Sequence, residues 1–214
     1  MLNKKVYFIA AIGTDLGKTY LVENLLKNIS NSKAIKPIIS GFDIDDANSD
    51  SAKILKAQNT EFNEDNIKRI SPWRFKEAVS PHFAATMEQN EIDFDEVVEF
   101  CNNEIELAKK GDYHLFIEGA GGVLSPINYE KTFLDLVKNI EADVLLVGAN
   151  YLGSISHILS AVVSLKVASV DIEKIIINED VPNFALGQND IIKTIENFTK
   201  VDTMLMKSFV DQLN

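Results

Sequence analysis

The feature that most constrains this chain is Gly13-Thr14-Asp15-Leu16-Gly17-Lys18-Thr19, set between a continuous apolar run and an amphipathic helical pattern. The run before it, Val6–Ile12, is rich in β-formers and lacks polar alternation, which predicts a strand buried on both faces in a parallel sheet. After it, Leu21, Val22, Leu25, Leu26 and Ile29 recur at helical spacing. A glycine-bearing turn joining such a strand to such a helix is where a phosphate loop must stand. There small residues let backbone N–H groups point inward around a phosphate, a lysine reaches the outer phosphates, and a hydroxyl meets Mg²⁺. Gly17, Lys18 and Thr19 supply all three. The strict spacing of such loops asks for glycine at position 12, where this chain has Ile12, with Gly13 one residue later.

Strand and helix patterns then alternate. A second strand is predicted at Ala34–Ile39, a polar loop at Ser40–Asp50, a helix at Ser51–Ala57, and an irregular region punctuated by Pro72 and Pro81. From Asp93, one helix face is marked by Phe94, Val97, Val98, Cys101, Ile105 and Ala108. Lys109 and Lys110 fall in its last turn and Gly111 just past its end. Further strands are predicted at Tyr113–Ile117, Asp143–Val147 and Lys174–Ile177, with helices near Thr132–Ile140, Ile155–Val167 and Asn189–Phe198. Strands alternating with helices imply βαβ crossovers, hence an α/β fold: a single P-loop domain over residues 1–214, with a mostly parallel central sheet and helices on both faces. Ligands in such sheets bind beyond the carboxyl ends of the strands.

Composition narrows the partners. With 21 Lys+Arg against 32 Asp+Glu the net charge is −11, which argues against nucleic acid or an anionic membrane surface held by broad electrostatic attraction. No apolar stretch approaches a membrane span, and the apolar run near the N-terminus meets Gly-Lys-Thr where a signal peptide would carry a cleavage site. Cys101 stands alone, and no Cys/His cluster has zinc spacing, which suits a reducing cytoplasm.

Four further segments carry polar groups toward the predicted ligand edge. Lys36-Pro37-Ile38-Ile39-Ser40-Gly41 ends the second strand, so Lys36 projects over the edge that carries the phosphate loop, unless it is an ordinary surface lysine. Asp50 opens a helix, where the simplest role is an N-cap. Glu118 closes a buried strand, a costly place for a bare carboxylate unless a cation such as Mg²⁺ meets it. The loop that follows, Gly119-Ala120-Gly121-Gly122, has almost no side chains and lets backbone approach a ligand, or simply turns. His114 reads as a packed strand residue, and His82 and His157 carry no assigned role.

Taken in order, Gly17-Lys18-Thr19, Lys36-Pro37-Ile38-Ile39-Ser40-Gly41, Asn48-Ser49-Asp50, Ser80-Pro81-His82 and Glu118–Gly122 resemble the motif series of the dethiobiotin synthetase family. These are ATP-dependent ligases of biotin biosynthesis. Pro126, the segment Leu152–His157 and Asn178 extend the likeness, which spans most of the chain. The resemblance implies that ATP is held by Gly13, Thr14, Asp15, Leu16, Gly17, Lys18, Thr19, Tyr20, Glu118, Gly119, Ala120 and Gly121, with Asn178 at the adenine edge. It implies Mg²⁺ on Thr19, Asp50 and Glu118, and Lys18 and Lys36 as the catalytic lysines. It places 7,8-diaminononanoate and its carbamate by Lys36, Ser40 and Ser80. Asn150, Leu152 and Gly153 would meet the substrate tail across a homodimer interface. CO₂ or bicarbonate is the remaining substrate, and the implied route runs through a carbamate and a carbamic–phosphoric mixed anhydride.

Two departures from the family pattern stand out. Counting back from Gly17, Ala11 and Gly13 stand where the family loop has a glycine and an acidic or amide residue, while Thr14 keeps register. The stretch Val201–Asn214 lacks the Gly-x-Ile-Pro-like segment that flanks the base. Amide synthases of the cobyrinate type share the superfamily but carry a glutaminase domain that 214 residues cannot hold. Partitioning ATPases favour an extra lysine early in the loop, and positions 11–16 have none. A nucleotide-free structural homologue is the remaining alternative; Lys18, Lys36, Asp50 and Glu118 argue against it.

Overall fold

A computed structural model describes residues 2–180 and 187–213. Its centre is a six-stranded, wholly parallel sheet in the order β2-β5-β1-β6-β7-β8. The strands are β1 (Val6–Ala11), β2 (Ser32–Ile35), β5 (His114–Glu118), β6 (Asp143–Ala149), β7 (Ile172–Asn178) and β8 (Thr203–Leu205). Every residue of β1 is buried, as are the last six of β6. Successive strand residues point to opposite faces, so both faces of the sheet are covered. The helices that cover it are α1 (Lys18–Asn28), α2 (Asp50–Ala57), α3 (Glu64–Ile70), α4 (Pro81–Met87), α5 (Phe94–Gly111), α6 (Phe133–Lys138), α7 (Ser154–Val167), α8 (Gln188–Thr199) and α9 (Met206–Asp211).

The predicted strand Ala34–Ile39 is two strands. β2 ends at Ile35, and Ile38–Ser40 (β3) leaves the main sheet to pair in parallel with Trp73–Phe75 (β4). The break falls at Lys36-Pro37, because proline has no N–H for a ladder and restricts the residue before it. The irregular region therefore contains α3, β4 and α4, and Pro81 occupies the first turn of α4, where a missing N–H costs nothing. Two helix ends also differ from expectation. Ser49, not Asp50, caps α2 by accepting from the Ala52 N–H, and Asp50 is the first helical residue. Gly111 is the last residue of α5, and Asp112 makes the left-handed turn at φ 51°.

Candidate active site

The sheet's topology places the site. β5 lies between β2 and β1, with Ile35 level with Ile117 and Ile9 level with Glu118. Lys36, one residue past β2, thus arrives beside Glu118 at the end of β5, and the turn after β1 arrives on its other side. Glu118 is 1 % exposed, and its Oε1 accepts from Lys36 Nζ at 2.8 Å and Thr19 Oγ1 at 2.7 Å. Lys36 Nζ also donates to Asp50 Oδ2, so one ammonium bridges both carboxylates. Lys36 is buried, and burial disfavours its charge; Glu118 and Asp50 outweigh that and raise its pKa. Burial likewise opposes ionisation of Asp50, but the Lys36 ammonium and the Thr19 hydroxyl hold its carboxyl below the usual range.

Lys18 curls back over its own loop, donating to the carbonyls of Gly13 at 3.1 Å and Gly121 at 2.9 Å. It is buried, and that desolvation brings its pKa down to about 8; Glu118 opposes the shift and Lys36 adds to it. A buried ammonium whose hydrogen-bond partners among the described residues are carbonyl oxygens is poised for a stronger anion. Gly17 precedes α1 at φ +97°, a conformation open to glycine. Gly121, at φ +70°, lies so close to Ser125 that an added Cβ would fall 2.3 Å from its hydroxyl, and that hydroxyl accepts from the Gly122 N–H.

These groups line one cleft of about 700 Å³. Its lining includes Thr14 to Tyr20 from the phosphate loop and the start of α1, Lys36, Ser40, Asp50 and Ser80, and Glu118, Ala120 and Gly121 from the end of β5 and the loop after it. Gly13 and Gly119 are not part of that lining, although the Gly13 carbonyl accepts from Lys18. Sequence reasoning missed Lys53 and Ser125, which also line the cleft. Lys53 was findable, since it lies three residues after Asp50 on the same helix face and lowers the Asp50 pKa.

Besides Gly13 and Gly119, four sequence-predicted residues lie outside that lining. Asn178 stands behind the phosphate loop with its amide Nδ2 donating to the Leu16 carbonyl at 3.0 Å. Asn150 is buried at the end of β6, whereas Leu152 is 90 % exposed and Gly153 has open space where a side chain would be. Ser80 Oγ pairs with His82 Nδ1 at 3.0 Å, and the His82 ring packs on Phe83 and Tyr129. His114 packs against Phe116 within the sheet, as a structural residue would.

The donor set suits a hard cation. Glu118 Oε2 is buried with no hydrogen-bond partner among the described residues, while the other oxygen of that carboxylate accepts from the Thr19 hydroxyl and shares the Lys36 ammonium with Asp50. Two carboxylates and a hydroxyl make an all-oxygen half-shell of the kind Mg²⁺ completes with phosphate and water.

A glycine-turned loop with a buried lysine and hydroxyl, at the carboxyl edge of a parallel sheet, defines a phosphate-loop nucleotide-binding domain. Residues 5–206 match the family described as an AAA domain. Among solved structures, the MinD cell division protein of Aquifex aeolicus aligns at TM-score 0.54 and 14 % identity, covering 98 % of this chain and 85 % of that one. A ParA family ATPase from Chlorobium tepidum gives TM-score 0.54 at 14 % identity, with 98 % and 90 % covered; such likeness is of fold alone. Sequence relatives are nearer. The ATP-dependent dethiobiotin synthetase BioD of Methylobacterium nodulans is 35 % identical over 180 residues, covering 80 % of both chains. That of a Caulobacter strain is 37 % identical over 177 residues, covering 80 % of this chain and 75 % of its own. The chain belongs to the ATP-dependent dethiobiotin synthetase family, enzymes of the ligase type.

Proposed function

We propose that this protein is itself a dethiobiotin synthetase, consuming ATP, CO₂ and 7,8-diaminononanoate. The observation that carries the reading is the convergence of Lys18, Lys36, Thr19, Asp50 and Glu118 in one cleft also bounded by Ser40 and Ser80. One amine of the diamine attacks CO₂ and loses a proton, giving a carbamate. A carbamate oxygen attacks the γ-phosphorus, and the bond to the β-phosphate oxygen breaks with release of ADP. The second amine attacks the carbonyl carbon of the mixed anhydride, closing the ring and releasing phosphate.

Each step gathers negative charge at one spot, so fixed positive charge and positioning are what the protein must supply. Lys18, which now satisfies itself on carbonyls, turns to the phosphate oxygens. Lys36 reaches the carbamate and the transferred phosphoryl group. Thr19, Asp50 and Glu118 hold Mg²⁺, which neutralises charge between the phosphates when bound. Gly13 to Gly17, Tyr20 and Gly119 to Gly121 wrap the nucleotide, with Asn178 at its adenine edge. Ser40 and Ser80 face the diamine.

The exposed loop with Leu152 and Gly153, beside Asn150, supports a homodimer in which it meets the substrate tail of a second copy. A cytoplasmic setting accompanies this reading; no helix among the described residues is long and apolar enough to cross a membrane. The test is phosphate release from ATP with and without the diamine, CO₂ being present. We expect release to depend on the diamine. Equal release without it, or none with it, overturns the proposal.

A further inference from the structure

The Asn178 amide is committed at both ends. Its Nδ2 donates to the Leu16 carbonyl at 3.0 Å, and its Oδ1 accepts from the Asp180 backbone N–H at 2.9 Å. Rotating the amide by half a turn would set oxygen against the Leu16 carbonyl and N–H against N–H, so this network admits one orientation. The same side chain packs against Gly17: a Cβ there would fall 2.8 Å from Asn178 Nδ2. Asn178 thus occupies the space that the phosphate loop leaves empty at its left-handed residue. The two residues after it tie the same strand end to the C-terminal unit. Glu179 accepts from the Met206 and Lys207 backbone N–H groups, and Asp180 pairs with Lys207 at 2.7 Å.

We infer that Asn178 is a positioning residue for the phosphate loop, fixing Leu16 and Gly17 in their phosphate-binding conformation from the end of β7. An amide carries two N–H donors and an oxygen with two lone pairs. The loop contact and the turn contact use one of each, which leaves one N–H and one lone pair for a base. The nucleotide reading of the site is assumed here, but the role adds to it: Asn178 serves the triphosphate whether or not a base is present.

A probe without a base separates the two roles. Magnesium tripolyphosphate and MgATP are titrated calorimetrically into the wild-type protein and Asn178→Ala, with amide exchange of residues 13–18 followed in the free proteins. Loss of one backbone-directed hydrogen bond predicts a fall of about five- to tenfold in tripolyphosphate affinity. Exchange should quicken within the loop while the sheet amides stay unchanged. Asn178→Asp, which faces the Leu16 carbonyl with oxygen, should do the same or more. Asp180→Ala keeps its backbone N–H and should leave the loop as it is. If Asn178→Ala is too unstable to measure, Asn178→Ser, too short to reach Leu16, takes its place.

Unchanged tripolyphosphate affinity and unchanged loop exchange, with ATP affinity alone reduced, overturns the positioning role in favour of base contact only. Quickened exchange across the whole sheet overturns it in favour of general destabilisation. Failure of the wild-type protein to bind either ligand would instead refute the nucleotide reading, and loop exchange, which needs no ligand, would still decide the positioning role.

Discussion

The phosphate cleft and the loop after β6 both stand at the carboxyl edge of the sheet, yet they are built in opposite ways. In the cleft, Lys18, Lys36 and Glu118 are each at most 6 % exposed, and both of these ammonium groups have oxygen partners from their own chain. At the loop, Leu152 is 90 % exposed and a side chain added at Gly153 would meet open space among the described residues. On the proposed function, the half that must hold transferable charge is preorganised inside one chain, because charge is effective only where water is excluded and donors are already placed. The loop proposed to meet the substrate tail is exposed, and on that proposal a second copy would cover it. The contrast can be broken from either side.

The largest effect is expected at Lys36. Lys36→Ala removes the ammonium proposed to face both the carbamate and the γ-phosphoryl group, and turnover should fall by at least about 10³-fold, the upper range for losing one fixed donor. Nucleotide binding should survive, because Lys18 and the loop are untouched. Loss of ATP binding in this variant would show that the lysine is misplaced. The same substitution leaves Glu118 and Asp50 without their counter-ion. Breaking a buried pair costs about 3 kcal/mol at the lower end, which applies because the Asp50 side chain is 38 % exposed. Denaturant unfolding in the absence of metal should show that loss. Added Mg²⁺ should restore part of it in Lys36→Ala while moving the wild-type protein less, since there it must compete with Lys36 for the same carboxylates.

Gly17→Ala comes next. Its φ of +97° strains any side chain, and the new Cβ must push the Asn178 amide from 2.8 Å. Left-handed strain of about 1–2 kcal/mol plus a displaced hydrogen bond predicts nucleotide affinity reduced by at least about tenfold. Calorimetric titration reads this directly. Unchanged affinity would mean that the loop rebuilds itself cheaply and that the cleft is less preorganised than the contrast requires.

How much of this was legible in the sequence follows from the range of the interactions. Lys36 and Glu118 stand at the ends of strands, and Lys18 and Thr19 open the helix that follows the turn after β1, so each is tied to an element with a local signal, and strand ends converge in parallel sheets. The split at Lys36-Pro37 was missed, although proline signals it, because the partner strand Trp73–Phe75 is only three residues long and lies in a stretch without periodicity. β8 was missed for the same reason: Thr203–Leu205 is too short to show a period. Asn178 could be matched to a motif, but its bond to Leu16 spans 162 residues and has no signature in either segment.

The smallest expected effect probes the open half. Leu152→Asp alters a side chain that touches almost nothing in its own chain, so the change in unfolding free energy should stay within about 0.5 kcal/mol. ATP affinity should also be unchanged. If a second copy covers this loop, a carboxylate there is desolvated on assembly and repels the acid end of the substrate tail. The KM for the diamine should then rise about tenfold, the equivalent of about 1.4 kcal/mol, and sedimentation should show weaker dimerisation. A variant with wild-type KM and wild-type assembly would mean that the exposed leucine belongs to neither interface nor site. The diamine tail would then have to be held within the cleft bounded by Ser40 and Ser80, and one chain would suffice for the whole reaction.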